Sequence, residues 1–347
     1  MERCASRARG DRLRDCLRRA RPGQERLAEK PCTGAAFPAT LRAWVAKTNR
    51  TSRMLELQAG GLAAVIHPDK GGIVSSLNWR GPDGRRHDVL YPSAGREPGT
   101  ASPNFFGTWA LLPFANRAFG CVIDDGEQRF LVPQNDPGGA IHGFGWQAAW
   151  DVLRYDRSHT VLEHRRTDGP DPYRYRARQD VILDQAGMTI RMAITNEAQT
   201  ALPFGIGHHP WFPCAADTSL VMRSKGALVF GEAFRATGQQ AFADGGPYAE
   251  AHPFRAETVT AWSFLGWGGH ARIETPSTGL AITLTASGNL DCPVVWAPAG
   301  ADFLCVEPQS HAIGAPSEPP ARAAAPLTHL APGETLEGWL RIAPEAL

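Results

Sequence analysis

YRYRARQDVILDQAGMTIRMAITN, residues Tyr173 to Asn196, is two runs of alternating character on either side of Asp184 to Gly187. Successive side chains of an extended chain point to opposite faces, so a two-residue period marks a half-buried strand. A cluster of Asp and Gly between two such runs marks a reversal. The stretch therefore predicts two paired strands. Working outward, LELQ, GLAAVIHP, GGIVSSLNW, RFLV, WQAAWDVL, HTVLEH, LAITLTA, VVWAP, FLCVE and LEGWLRIA read as further strands. Pro82-Asp83-Gly84, Asp124-Asp125-Gly126 and Pro276 to Gly279 read as turns between them. Helical periodicity is scarce, and no repeat of fixed period stands out, which speaks against a propeller. Many short strands with few helices predict an all-β fold, an antiparallel sandwich or barrel, in one continuous domain over residues 54–347.

Composition excludes several classes of function. The chain has 347 residues, 43% hydrophobic and 20% charged, with a formal net charge of +1. That is the make-up of a globular protein with room for one large or two medium domains. The charge is uneven: residues 1–30 carry ten Arg/Lys against five Asp/Glu, leaving 26 against 30 in the rest. A mildly acidic body lacks the basic face a nucleic-acid partner requires and suits a neutral small molecule. Seven cysteines without a C-x-x-C pair give neither a zinc framework nor a secreted disulfide scaffold, so a reduced, cytoplasmic setting is expected. No run of 18 apolar residues exists, and no membrane association is expected. No signal for a dimer is visible, so a monomer is the expectation.

Residues 1–53 differ in kind from the rest of the chain. The stretch is arginine-rich, poor in large apolar residues and broken by Pro22, Pro31 and Pro38. A targeting peptide would be basic, yet Glu2, Asp11 and Asp15 are unwelcome in one. The preferred reading is a disordered basic extension, or translated upstream sequence ahead of a start near Met54.

Four stretches bring groups of catalytic type together. In FGIGHHPWFP, Phe204 to Pro213, the residue before a proline is pushed into the extended region, so His209 should be extended and His208 should project to the opposite side. Only one of the two can face a given cleft. Histidine gives or takes a proton near neutrality, although both could equally be strand-end histidines satisfied by backbone. In LLPFANRAFG, Asn116 and Arg117 interrupt an apolar stretch, with the guanidinium suited to hydroxyl or carboxylate oxygens or to the surface. In GGAIHGFGW, His142 stands among glycines that permit close approach of a ligand, and the rings nearby suit either a sugar face or the core. In DFLCVEPQSH, Phe303, Cys305 and Glu307 share one strand face, and Pro308 ends the ladder. A carboxylate at the tip of an apolar strand is partly desolvated, which raises its pKa toward that of a general base; a strand-end salt bridge is the other reading.

The order NR, then HG followed by GW, then HPWF, then CVEP resembles the aldose 1-epimerase (galactose mutarotase) family, particularly its bacterial branch with HPWFP and EPxSH. GLAAVIHPDKGGIVSSL, SFLGWGG and APGETLEGW extend the resemblance over roughly Gly61 to Leu340. It implies a large antiparallel β-sandwich of the galactose mutarotase-like supersandwich kind with an open sugar cleft. It implies further that His209 is the general acid, that Glu307 is the general base, and that Arg117, His142, Asn116 and Trp211 contact a monosaccharide. The implied reaction is anomer interconversion through ring opening, which needs one acid, one base and no metal or organic cofactor. One departure stands out: AWSFLGW places Ala261 where many members carry an Asp that binds sugar hydroxyls, unless an acid such as Asp291 substitutes. Competing expectations are a hexose-phosphate mutarotase, for which Arg80, Arg85 and Arg86 are the available cations, and a noncatalytic sugar-binding or regulatory sandwich. A metal-dependent cupin-like enzyme using His142, His208, His209 and His311 is a further one.

Overall fold

The computed structural model describes residues 54–92, 107–254 and 259–347; the expected N-terminal extension lies outside the described residues. The hairpin at the centre of the sequence forms as expected. Tyr175–Leu183 pairs antiparallel with Met188–Asn196, Leu183 opposite Met188, and every second residue of both strands is buried. Asp184 makes the turn: its Oδ1 accepts from the backbone N–H groups of Ala186 and Gly187 at 2.8 and 3.0 Å, the Asx geometry that lets aspartate replace a backbone partner.

From this hairpin a nine-stranded antiparallel sheet extends, in the order 151–155, 159–166, 175–183, 188–196, 335–346, 280–286, 270–275, 219–222 and 252–253. A six-stranded antiparallel sheet carries Trp211–Pro213, Phe303–Glu307, Val294–Ala297, Thr260–Leu265, Gly226–Phe230 and Ala236–Ala241 in that order. A four-stranded sheet runs from Leu55 to Asp88. One apolar core joins the three sheets, with Leu57 and Leu77 from the smallest, Ile190 and Leu340 from the largest, and Val295 and Leu304 from the third. The described α-helix is short, Pro319–Ala324.

One strand expectation is corrected. Of WQAAWDVL, only the end is strand: Gly145–Gln147 is a 3-10 turn, and the strand begins at Asp151. Trp146 and Trp150 are both buried, and their indole N–H groups donate to Ile141 O at 3.3 Å and Gly145 O at 2.8 Å. The two large rings enter different core clusters, each with a backbone acceptor from the same segment, and the turn between them replaces an extended strand.

Candidate functional site

Sheet register creates the site. Trp211 opposes Cys305, and the same antiparallel pairing carried two residues further sets His209 against Glu307. His209 Nε2 stands 3.3 Å from Glu307 Oε1, with the two residues 7% and 2% exposed. Along the strand Phe303–Glu307, Leu304 and Val306 enter the main core, while Cys305 packs with Trp211 on the other side. Gln309 donates its side-chain N–H to Glu307 Oε2 at 3.0 Å. Rings hold the imidazole of His209: Trp109 stacks on it with centroids 4.7 Å apart, and Trp211 stacks with 5.0 Å.

Burial dominates the electrostatics. It pushes the Glu307 carboxyl up to about 8, against the lowering effect of the Gln309 hydrogen bond, and it pushes His209 down to about 3. A buried group resists whichever of its forms is charged, hence the opposite directions for an acid and a base. Burial thus favours a protonated Glu307 beside a neutral His209.

His208 and His209 do project oppositely. His208 turns inward, with Nδ1 2.9 Å from Thr108 Oγ1 and Nε2 3.1 Å from Gln179 Oε1, and Gln179 in turn donates to Gly72 O at 2.9 Å. His311 also serves the fold: its Nε2 accepts from Ala115 N–H at 2.9 Å, and its Nδ1 lies 2.9 Å from Ala312 O. Both are therefore committed elsewhere, and the four histidines of the cupin-like expectation do not converge on one point.

His142 joins the site through a strained loop. Its Nδ1 accepts the backbone N–H of Asn116 at 3.1 Å, and Asn116 O accepts the backbone N–H of His142 at 2.8 Å. With Nδ1 an acceptor, the neutral ring carries its proton on Nε2 as a donor. Burial first, then the neighbouring His209 and Arg117, hold His142 well below the ordinary histidine value, so it stays neutral. Asn116 and His142 both have left-handed backbones, φ 53° and 58°, a conformation that costs about 1–2 kcal/mol in a non-glycine residue and concentrates at functional sites. Asn135 pins the loop, its side chain donating to Ile141 O and Gly143 O and accepting from Ile141 N. The glycines here clear space for protein rather than ligand: a Cβ on Gly143 would lie 2.1 Å from Leu112 O.

These groups line a cavity of about 360 Å³, whose polar lining comprises Asn116, Arg117, Asp136, His142, His209 and Glu307. Arg117 Nη1 pairs with Asp136 Oδ2 at 3.0 Å. The rest of the lining includes Phe230, Phe234, Ala261, Val294, Trp296 and Ile313, with Val294 directly across the strand pair from Glu307. Ala261, singled out by its sequence position, thus faces the cavity, and Asp291 is not among the lining residues. Trp211 is 1% exposed and sits behind His209, so it backs the imidazole and does not line the cavity. Arg85 and Arg86 line a separate open groove with Tyr91 and Asp302.

Sequence reading missed Asp136, Gln309, Trp109 and the pair Phe230 and Phe234. Asp136 had a local signal, an acid in a turn 19 residues after Arg117; the ring residues had none, since their role is fixed by packing.

The molecule is thus a large antiparallel β protein with a buried histidine–carboxylate pair lining one cavity. The aldose 1-epimerase family model matches residues 53–343, and the chain belongs to that family. It is similar to the uncharacterized protein YphB of Escherichia coli K12, 29% identical over 294 residues, which covers 79% of this chain and 93% of that one. Among solved structures, an E. coli K12 protein provisionally described as an aldose 1-epimerase superposes with a TM-score of 0.73 at 27% identity, covering 85% of this chain and 99% of that one. A galactose mutarotase-like protein of Clostridium acetobutylicum gives a TM-score of 0.72 at 20% identity, covering 84% and 95%. The fold is that of the galactose mutarotase-like proteins. Among the described residues, no helix is long and apolar enough to cross a membrane.

Proposed function

We propose that the protein is an aldose 1-epimerase that interconverts the α and β anomers of a free, neutral monosaccharide, with Glu307 as general base and His209 as general acid. The observation that carries this is the 3.3 Å approach of His209 Nε2 to Glu307 Oε1, buried at the edge of a sugar-sized cavity. The reactive form is the minor tautomer in which the Glu307 proton has moved to His209; with the closed sugar bound, the Glu307 carboxylate takes the proton of O1 and the imidazolium of His209 gives its proton to the ring oxygen. The bond from C1 to the ring oxygen breaks and the C1 carbonyl forms. The pair is then a carboxylic acid beside a neutral imidazole, the uncharged arrangement that burial favours. Rotation about C1–C2 and return of both protons closes the other anomer. Each positioned group contributes about 10²–10⁴-fold in rate.

His142 and Arg117 donate to sugar oxygens in this reading, and Asn116 holds His142 in place. Phosphorylated substrates are disfavoured, because the cation lining the cavity, Arg117, already has its charge met by Asp136. Ala261 and the aliphatic and aromatic groups of the lining offer no side-chain acceptor, so hydroxyl recognition falls to the polar lining groups, Arg117 and Asp136 among them. The test is anomer exchange by NMR on freshly dissolved α-D-glucose, α-D-galactose and glucose 6-phosphate, with Glu307→Gln as control. Acceleration of a free aldose by the wild type alone supports the reading. No acceleration of any aldose by folded wild-type protein overturns it.

A further inference from the structure

One buried thiol at the site takes no part in the sugar chemistry. Cys305 lies two residues before Glu307 on the same strand face, is fully buried, and is a free thiol. One ligand atom each from His209, Cys305 and Glu307 lies within 4.8 Å of the other two. Zinc bound by histidine nitrogen and carboxylate oxygen at about 2.0–2.1 Å in a tetrahedron spaces those ligands about 3.3 Å apart. His209 Nε2 and Glu307 Oε1 already stand at 3.3 Å.

We propose that His209, Cys305 and Glu307 form a binding site for a thiophilic divalent cation of the zinc type, which inhibits the enzyme by occupying its acid and its base together. The donor set of one thiolate, one imidazole and one carboxylate suits zinc and not magnesium or calcium, which require oxygen ligands. His209 and Glu307 line the cavity, so the fourth position of a tetrahedral ion opens toward the place where the sugar sits, and ion and sugar exclude one another. Binding displaces two protons, the one shared by His209 and Glu307 and the one on the thiol, with no change of oxidation state. His209 Nδ1 has no hydrogen-bond partner among the described residues. Zinc-bound histidines owe much of their affinity to such an outer partner, which makes this an exchangeable inhibitory ion and not a structural one.

The experiment uses the full chain, stripped with chelator, equilibrated with a slight excess of Zn²⁺ and then briefly dialysed, in parallel as wild type and as Cys305→Ala, with Cys305→Ser in its place if the alanine variant does not fold. The expected result is that the wild type retains one Zn²⁺ per chain more than the variant. With Co²⁺ it shows a thiolate-to-cobalt charge-transfer absorption that the variant lacks. Neither readout depends on turnover, so failure of the epimerase reading is seen separately, as absent anomer exchange in metal-free protein. Where exchange is observed, Zn²⁺ should abolish it in the wild type, a chelator should restore it, and the variant should require at least tenfold more Zn²⁺ for the same inhibition. Equal Zn²⁺ retention by the two proteins without a charge-transfer band overturns the proposal. Retention with unimpaired anomer exchange overturns it as well, because the ion would then lie outside the acid–base pair.

Discussion

Replacing Glu307 by Gln changes one buried carboxyl into a neutral amide of the same shape, whose carbonyl can still accept from Gln309 Nε2. The loss of a desolvated acid acts on both catalysis and stability. Catalysis should fall by about 10²–10⁴-fold, because the amide cannot take the O1 proton, while sugar affinity stays within a few-fold. Stability should gain a different pH dependence. Burial raises the Glu307 carboxyl from an ordinary 4.5 to about 8 in the folded protein. A group raised in this way contributes stability that is full below its unfolded value and is lost as pH rises through its folded value. Each pH unit in that interval is worth about 1.4 kcal/mol, so on the order of 3–5 kcal/mol drains from the wild type between pH 4.5 and 8 through this group. The variant has no such loss. Urea unfolding at pH 5 and pH 8.5 in chelator-containing buffer, beside NMR anomer exchange, measures both. The variant should gain on the wild type by several kcal/mol at the higher pH. Parallel pH dependence in the two proteins, or exchange within tenfold of wild type, would refute the assignment of Glu307 as a desolvated base.

His209→Asn should lower anomer exchange by about 10²–10⁴-fold with sugar binding retained, measured by single-turnover exchange and by titration of intrinsic Trp fluorescence. His208→Ala, one residue away, should do the reverse: it strands Thr108 and Gln179 in the core and costs about 2–4 kcal/mol in urea unfolding, while exchange per folded molecule stays within a few-fold. Acid should destabilise the protein steeply. Burial holds His208 and His209 down to about 3 and His164 and His311 to about 4, so their contribution is present above pH 6.5 and lost as pH falls below it. Each histidine adds up to about 1.4 kcal/mol per pH unit to that loss, and a urea midpoint that stays level from pH 7 to 5 would contradict the neutral burial of these rings.

Much of the fold was legible because strand character is local. Alternation in Tyr175–Leu183 and Met188–Asn196, with an aspartate able to close the turn by itself, specifies the hairpin before any tertiary contact forms. WQAAWDVL failed for the converse reason: its first half does not alternate, and its two indoles find backbone acceptors close by, at Ile141 and Gly145. At the candidate site, sequence narrowed the chemistry to His209, Glu307, His142, Asn116 and Arg117, and the structure gathers all five around one cavity, whereas Trp211 is drawn behind the imidazole. Asp136 was passed over because an acid in a turn has many uses. Its pairing with Arg117 arises only when the strands Arg117–Phe119 and Gly139–Ile141 close on each other.

Sequence by itself determined the all-β class, the turn positions, the opposite projection of His208 and His209, and the shared face of Cys305 and Glu307, since backbone geometry sets each of these within a few residues. Tertiary structure alone decided which histidine faces the carboxylate. It also decided that His311 and His208 are spent on the fold, and that Ala261 lines the cavity while Asp291 does not. The physical reason is register: strands nearly one hundred residues apart in the chain meet through hydrogen bonds that any sequence can make, and only the packing of the core fixes which residue stands opposite which.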